Sequence, residues 1–248
     1  MSRIYQAPPI VEAICELRFQ PDQPWDWTIP GLLYAKIKDE FPQKKEEYAV
    51  PVQVRPEPRE IAYSLGRSLA KMQFVREDGS AMVQVGPHLL AVNHLKPYPR
   101  WGAFKQMIAE TFDVYREVAQ PQGLLRIGLR YINRIEIPSE RVRIEDYLKA
   151  VPVVPEELPQ TFATWAQRVE IPMGDINGVL ILQSGSLREA GQSDVVFLLD
   201  LDLGTADVGE LSLDDALAWI ESAHDRIEAA FEACITDRAR KLFKEVGS

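Results

Sequence analysis

A row of arginines in segment 124–137 is the group of residues in this chain best suited to recognition chemistry. Side chains of a β-strand alternate between its two faces, so Arg126, Arg130 and Arg134 share one face while the apolar residues point to the other. An arginine guanidinium binds carboxylates and phosphates through two parallel hydrogen bonds. The row therefore predicts a groove for an anionic ligand, a nucleic-acid strand or an acidic segment of a partner protein.

Acidic residues occupy the charged face of two other predicted strands. Glu12 and Glu16 lie on that face in segment 10–19, and Asp200 and Asp202 do so in segment 194–203. If the three segments are neighbours, the acidic residues form cross-strand ion pairs with the arginines, each stabilising by about 0.2–1 kcal/mol and needing no ligand. The alternative is that Glu12 and Glu16 flank an open binding groove. The sequence leaves both interpretations open.

Asp200 and Asp202 also allow metal chemistry, because two carboxylates on one strand face can hold a divalent cation. Together with Glu12 they would form the site of a metal-dependent hydrolase or nuclease. The sequence contains no phosphate-binding glycine loop, no HExxH or CxxC metal motif and no GxSxG nucleophile motif. Two of its three histidines lie about 20 Å apart along one strand, too far for a shared metal, and His224 falls on an apolar helix stripe.

Hydrophobic periodicity predicts an α+β fold. Because strands follow one another with few intervening helices, we expect a mainly antiparallel sheet with the helices packed on one face. The predicted helices are 29–41, 100–119, 143–150 and 211–243. The predicted strands are 10–19, 48–54, 69–76, 81–85, 88–94, 124–137, 162–171, 178–183 and 194–203, and the predicted loops are 53–67, 151–160 and 184–193.

The order of these elements is compatible with an internal duplication. A β-α-β-meander-α half over 1–120 is followed by a second over 121–248, and the two halves are expected to form one compact domain. The helix predicted over 211–243 would be roughly 48 Å long at ~1.5 Å per residue. Such a helix either kinks over the core or extends to a second subunit, which would make the protein a homodimer.

Composition restricts the class of protein. The 248 residues are 46% hydrophobic and 26% charged, as in globular domains, and the net charge of −9 disfavours non-specific binding to nucleic acid or anionic lipid. No segment has the roughly 18 apolar residues of a spanning helix, and the N-terminal residues lack a signal-peptide pattern, so we expect a cytoplasmic protein without membrane contact. Cys15 and Cys234 fall on apolar faces, which predicts buried thiols rather than a disulfide.

The chain resembles a sporadically distributed family of uncharacterised prokaryotic proteins in two segments, YQAPPIVEAICELRF at 5–19 and GLRYINRIEIP at 128–138. The PPIVEA and LRYINRI motifs of this resemblance include Glu12, Arg130, Asn133 and Arg134. The resemblance covers the whole chain and implies a stand-alone bacterial or archaeal protein, with an accessory role such as defence or a toxin–antitoxin system. It supplies no catalytic residue.

The sequence as a whole predicts a non-enzymatic protein that binds a ligand or partner without a cofactor. The metal-dependent hydrolase and a structural homodimeric subunit are the alternatives. The predicted binding residues are Arg126, Arg130, Arg134, Glu12, Glu16 and Asn133.

Overall fold

The computed structural model describes residues 3–21, 24–49, 52–56, 61–65, 68–139, 142–187, 194–207 and 211–246. Its helices are α1 (Ile29–Ile37), α2 (Trp101–Ala119), α3 (Ala216–Cys234) and α4 (Asp237–Phe243). Its strands are β1 (Ile10–Phe19), β2 (Gln43–Ala49), β3 (Val52–Pro56), β4 (Ile61–Leu65), β5 (Ser68–Val75), β6 (Ala81–Gly86), β7 (Leu89–Leu95), β8 (Leu124–Ile137), β9 (Ala166–Met173), β10 (Gly178–Leu187) and β11 (Val195–Thr205). This arrangement confirms the predicted α+β class.

Nine of these strands form one antiparallel sheet in the order β2-β5-β6-β7-β1-β8-β11-β10-β9. The two long predicted strands, β1 and β8, are neighbours at its centre. Each is flanked on its outer side by the last strand of the meander that follows it, β7 beside β1 and β11 beside β8. The strand order is thus similar on the two sides of the β1–β8 pair, while the internal duplication stays a prediction.

The core lies between the sheet and helices α2 and α3. Alternate residues of β1, from Ala13 to Phe19, and of β8, from Ile127 to Ile137, are buried on this side. The helices bury one apolar stripe each against them, with Phe104 and Phe112 from α2 and Ile220 from α3. Full burial of such a side chain stabilises the fold by about 1.5–3 kcal/mol. The alternating apolar residues of the strands and the apolar stripes of the helices therefore pack into one core.

The helix predicted over 143–150 is wrong. Only the short 3₁₀ turn Ile144–Asp146 forms there. Leu148 instead makes an isolated antiparallel bridge with Ile235, and the amide of Lys149 donates to the carbonyl of Cys234 at 2.8 Å. Residues 148 and 149 thus pair with the end of α3 instead of continuing the 3₁₀ turn into a helix.

The single helix predicted over 211–243 is also wrong. Helices α3 and α4 are separated by Ile235, which is extended (φ −108°, ψ 160°), and by Thr236, which caps α4. Both helices bury residues in the same core, so the apolar stripe of the sequence continues across the break and conceals it.

The loop predicted over 53–67 overlaps two paired strands, β3 from residue 53 to 56 and β4 from 61 to 65, and its residues 57–60 and 66–67 lie outside the described part of the chain. The strand β2 begins at Gln43, ahead of the strand predicted over 48–54. The predicted loop 184–193 overlaps the end of β10, and residues 188–193 lie outside the described part of the chain. No described helix combines the length and the apolarity needed to cross a bilayer.

Candidate functional site

The structure joins the three charged strand faces into one surface, which we call the charged face. Because β1, β8 and β11 are neighbours, their charged residues lie together on the side of the sheet opposite the helices. Arg126, Arg130 and Arg134 all point to this side, as the alternation predicts. Asp202 lies directly opposite Arg130 in the register of β11 with β8.

The arginines of the charged face are engaged with carboxylates. Arg130 donates from Nε and Nη2 to the two oxygens of Asp200 at 2.8 and 2.6 Å, a two-point contact that raises the pKa of Arg130. Arg134 donates from Nε to Glu136 at 2.7 Å. These contacts are the kind expected of a polar face held together by ion pairs. Whether the arginine row also binds an anionic ligand stays a prediction.

Arg126 lies flat against backbone that carries no side chain. Its guanidinium contacts Glu16 at 3.4 Å and Asp202 at 3.6 Å. A Cβ built at Gly204 would lie 2.5 Å from Nη2 of Arg126, and one at Gly128 would lie 2.8 Å from Nη1. The two glycines therefore leave the space that the guanidinium fills.

The acidic residues of the charged face are also partnered. Glu12 accepts from Nδ2 of Asn93 at 2.8 Å, and Asn93 in turn accepts from Gln84. Burial raises the pKa of Asp202, while the positive charges of Arg126 and Arg130 act against that rise. Within the described ranges, no group of three or more His, Cys, Asp or Glu residues is arranged to hold a metal ion. The metal-dependent hydrolase stays a prediction.

A cavity of about 310 Å³ lies on the opposite, helical side of the sheet. Its floor is the core side of β8 and β11, and its walls are the N-terminal segment before β1, the start of α2 and one side of α3. Five aromatic residues line it: Tyr5, Tyr98, Trp101, Tyr131 and Phe231. We call this space the aromatic cavity. Arg126, Arg130 and Arg134 are not among its lining residues.

Three polar side chains in the aromatic cavity form a hydrogen-bonded chain. The hydroxyl oxygens of Tyr98 and Tyr131 are 3.0 Å apart, and Tyr131 Oη lies 3.1 Å from Nδ1 of His224. The imidazole stacks on the indole of Trp101, with ring centroids 4.0 Å apart and planes at 10°. Burial raises the pKa of both phenols and lowers the pKa of His224. At neutral pH the chain is therefore uncharged.

Asn133 is the one predicted site residue that lines the aromatic cavity. It is 2% exposed, and it lies on the core side of β8, where its parity with Tyr131 and Ile135 puts it. Its Nδ2 donates to the carbonyls of Leu199 at 3.0 Å and Tyr131 at 3.4 Å. Its Oδ1 accepts no hydrogen bond from any residue in the described part of the chain. An amide oxygen is therefore available to a donor in the cavity.

Arg100 lies at the rim of the aromatic cavity, immediately before α2. Its backbone has a φ of 76°, a region that non-glycine residues rarely adopt, and strain of this kind recurs at ligand-binding positions. Its exposed guanidinium forms no hydrogen bond or ion pair with the residues that the structure describes. By contrast, Arg3, on the opposite rim, is paired with Glu245 at 2.7 Å and with Glu232 at 3.7 Å.

Of the two acidic side chains among the described residues that line the aromatic cavity, Glu232 is compensated by an arginine. Glu232 accepts from Tyr5 at 2.5 Å and from Arg240 at 2.8 Å. Glu228 is the other, and its negative charge acts to raise the pKa of Tyr98, Tyr131 and His224. Among the described residues that line the cavity, Arg100 is the cation without an ion pair.

Sequence reasoning misses most of this cavity. The apolar stripe indicates a core histidine at His224, and no pattern singles out Tyr98 or Arg100. The sequence signal that bears on them is the run PYPR at 97–100, an aromatic residue between two prolines just before a helix. The cavity unites segments that are far apart in sequence, so no local spacing reveals it.

Comparisons with protein-family models and with curated proteins give no match to this chain.

Proposed function

We propose that the protein is a non-enzymatic binding protein whose ligand is a small organic acid held in the aromatic cavity. The observation that carries the proposal is the pairing of an apolar aromatic space with two unused polar groups, the guanidinium of Arg100 and Oδ1 of Asn133. Binding sites for small molecules are concave and mostly apolar, with a few polar groups that fix the orientation of the ligand.

The apolar body of the ligand would contact aromatic rings. The cavity volume of about 310 Å³ is near the lower end of the range for ligand pockets, which favours a molecule with a single ring system or a short chain. Flat rings bind well against the faces and edges of Tyr131, Trp101 and Phe231 because aromatic pairs prefer offset or edge-to-face contact.

The polar end of the ligand would be a carboxylate near Arg100. A guanidinium binds a carboxylate through two parallel bonds, and Arg100 has no competing acidic partner among the described residues. Asn133 adds an acceptor for a hydroxyl or N–H group on the body of the ligand, deeper in the cavity. The proposal keeps the anionic ligand predicted from sequence and moves its site from the charged face to the aromatic cavity.

The reactive groups of the aromatic cavity are engaged with one another. Tyr98, Tyr131 and His224 form one hydrogen-bonded chain, and Glu232 accepts from Tyr5 and Arg240. These contacts favour a binding role over covalent catalysis. His224 is held by Tyr131 and stacked on Trp101, which fixes its position.

The test is calorimetric titration of a panel of small acids, including benzoate, hexanoate and indole-3-acetate. Indole-3-ethanol is the neutral analogue of the last acid, with the same ring and a hydroxyl in place of the carboxylate. We expect the acid to bind more tightly than the alcohol. Arg100→Gln should weaken the binding of the acid by about tenfold to a hundredfold, which is the effect of losing a charge-assisted hydrogen bond, and should leave the binding of the alcohol unchanged.

The matched control distinguishes the aromatic cavity from the charged face. The double substitution Arg130→Ala, Arg134→Ala lies on the other side of the sheet and should leave the binding of the acid unchanged. If the double variant does not bind the acid and Arg100→Gln binds it as the wild-type protein does, the ligand site is the arginine row and not the aromatic cavity. Failure of every acid in the panel to bind the wild-type protein contradicts the proposal.

A further inference from the structure

The strand β9 forms one edge of the nine-stranded sheet and carries apolar side chains that are exposed. It pairs with β10 on one side, and it has no strand partner on the other side within the described ranges. Val169 and Ile171 are 47% and 36% exposed. They lie opposite Leu182 and Leu180, which are buried, so the apolar side of the sheet continues outward to an uncovered edge.

The backbone groups on the outer side of β9 are those of its even-numbered residues. The amide of Ser186 on β10 donates to the carbonyl of Trp165 at 3.0 Å, so the odd-numbered backbone groups face β10. Because backbone direction alternates along an antiparallel strand, the N–H and C=O groups of Arg168 and Glu170 point away from β10. Pro172 also points outward, where a residue without an N–H leaves no bond of the sheet unmade.

The side chains of β9 are self-complementary in charge. Arg168 and Glu170 lie on the same side of the strand and contact each other at 2.6 Å. They are two residues apart, with Val169 between them on the other side. Rotation of a second β9 by a two-fold axis at Val169 therefore brings Arg168 opposite a glutamate and Glu170 opposite an arginine.

We propose that two copies of the chain associate through β9, antiparallel and with the two-fold axis at Val169. In this register Val169 faces the partner's Val169, and Arg168 faces the partner's Glu170. The outward backbone groups of these two charged positions then bond to each other in both copies. The result is one continuous sheet through both copies, with the exposed apolar side chains of each strand beside those of the other.

Neighbouring registers of the two β9 strands are less favourable because they put like charges opposite each other. The outward N–H and C=O groups of one strand must lie opposite the outward groups of the other, so even-numbered residues must pair with even-numbered residues. This condition holds only when the two-fold axis passes through a residue and not between two residues. An axis at Glu170 puts Glu170 opposite the partner's Glu170, and an axis at Arg168 puts two arginines together. Like charges directly opposite each other destabilise a strand pair. The axis at Val169 pairs opposite charges at both positions.

The first test is light scattering coupled to gel filtration, up to roughly 1 mM chain, a range in which even a weak complex is populated. We expect a dimer. Arg168→Glu should give a monomer, because it brings four acidic side chains together. The charge-swapped double variant Arg168→Glu, Glu170→Arg should restore the dimer. A dimer that persists in Arg168→Glu, or a wild-type protein that is monomeric over the whole range, overturns the proposal.

The second test is covalent capture and does not depend on the strength of the dimer. Val169 and the partner's Val169 form a non-hydrogen-bonded pair in the proposed register, the position at which Cα atoms approach to about 4.5 Å and a disulfide is possible. Val169→Cys should give a disulfide-linked dimer under mild oxidation. Val153→Cys is the control, because Val153 is 94% exposed and lies outside β9. Equal cross-linking of both variants, or no cross-linking of the Val169→Cys variant, counts against the register.

Discussion

The phenol oxygen of Tyr131 lies 3.1 Å from Nδ1 of His224, and this hydrogen bond joins the middle of β8 to helix α3 across the floor of the aromatic cavity. The same oxygen lies 3.0 Å from the hydroxyl of Tyr98, in the segment that leads into α2. A single phenol thus connects the central strand to the start of one helix and to the side of another.

Removal of the Tyr131 hydroxyl should destabilise the fold more than removal of the Tyr98 hydroxyl. Tyr131→Phe loses both hydrogen bonds and leaves His224 Nδ1 without its partner, for a cost of about 1–3 kcal/mol in the free energy of unfolding. Tyr98→Phe loses one bond and should cost about 1 kcal/mol. Urea unfolding of the two variants is the measurement. An equal or larger loss for Tyr98→Phe would contradict the central position of Tyr131.

His224 should titrate below an ordinary histidine. Burial lowers its pKa, and the raising effects of Glu228, Asp225 and Glu221 are smaller. The pKa of His224 is lower in the folded protein than in the unfolded chain, where it is about 6.5. The unfolded state therefore takes up the proton first, so the free energy of unfolding is highest above pH 6.5 and decreases as the pH falls through the folded pKa. NMR titration of the imidazole C–H signals measures this, and the spectrum of His224→Asn identifies the signal. A midpoint above about pH 6.5 would be the opposite result.

The parts of the fold that could be predicted are those in which one strand has one apolar and one charged face. β1 and β8 begin and end where the alternation of the sequence does, at 10–19 and 124–137. The strand prediction reaches only the last two residues of β2. The sequence QKKEEYA has charged residues on both faces, as edge strands often do, and therefore shows no alternation. Cys15 and Cys234 are buried free thiols, as their apolar positions predict.

The candidate site is less predictable because it depends on which elements become neighbours. Alternation is sufficient to put Arg126 and Arg130 on one face, but the contact of Arg130 with Asp200 follows from the pairing of β8 with β11. The aromatic cavity depends on tertiary structure entirely. Asn133 has a predictable direction, whereas its neighbours in the cavity come from the N-terminal segment and from two helices.

The contact between Arg126 and Gly204 should appear as a coupling energy. Gly204→Ala puts a methyl group into the space of the Arg126 guanidinium, 2.5 Å from Nη2. The guanidinium must then move away from Glu16 and Asp202, and partly exposed ion pairs of this kind stabilise by about 0.2–1 kcal/mol. In the Arg126→Ala background the same methyl meets no guanidinium, and alanine stabilises a strand interior by roughly 0.5–1 kcal/mol relative to glycine.

A double-mutant cycle by urea unfolding measures this coupling. We expect Gly204→Ala to be less favourable by about 1 kcal/mol when Arg126 is present than when it is absent. Gly31→Ala is the matched control, since a Cβ there meets nothing within 4 Å, and it should stabilise α1 by the same amount in both backgrounds. Additive effects at Gly204 would mean that the guanidinium does not rest on that residue.

Thr236 should stabilise both the last helix and the N-terminal wall of the aromatic cavity. Its Oγ1 accepts from the amide of Ala239 at 3.3 Å, which caps α4, and donates to the carbonyl of Asp146 at 2.5 Å. The end of α4 in turn holds the N-terminal segment, because the amides of Gln6 and Ala7 donate to the carbonyls of Lys244 and Phe243, each at 3.0 Å.

Loss of the Thr236 hydroxyl should therefore have a local and a remote effect. Thr236→Ala should cost about 1–2 kcal/mol in urea unfolding, the upper range for a helix cap, because the hydroxyl has two partners. Thr236→Ser keeps the hydroxyl and should cost less than half as much. Amide hydrogen exchange at Gln6 and Ala7 should quicken in the alanine variant and not in the serine variant, since their acceptors lie at the end of α4. Unchanged exchange at both amides in Thr236→Ala would show that the N-terminal segment is held independently of the cap.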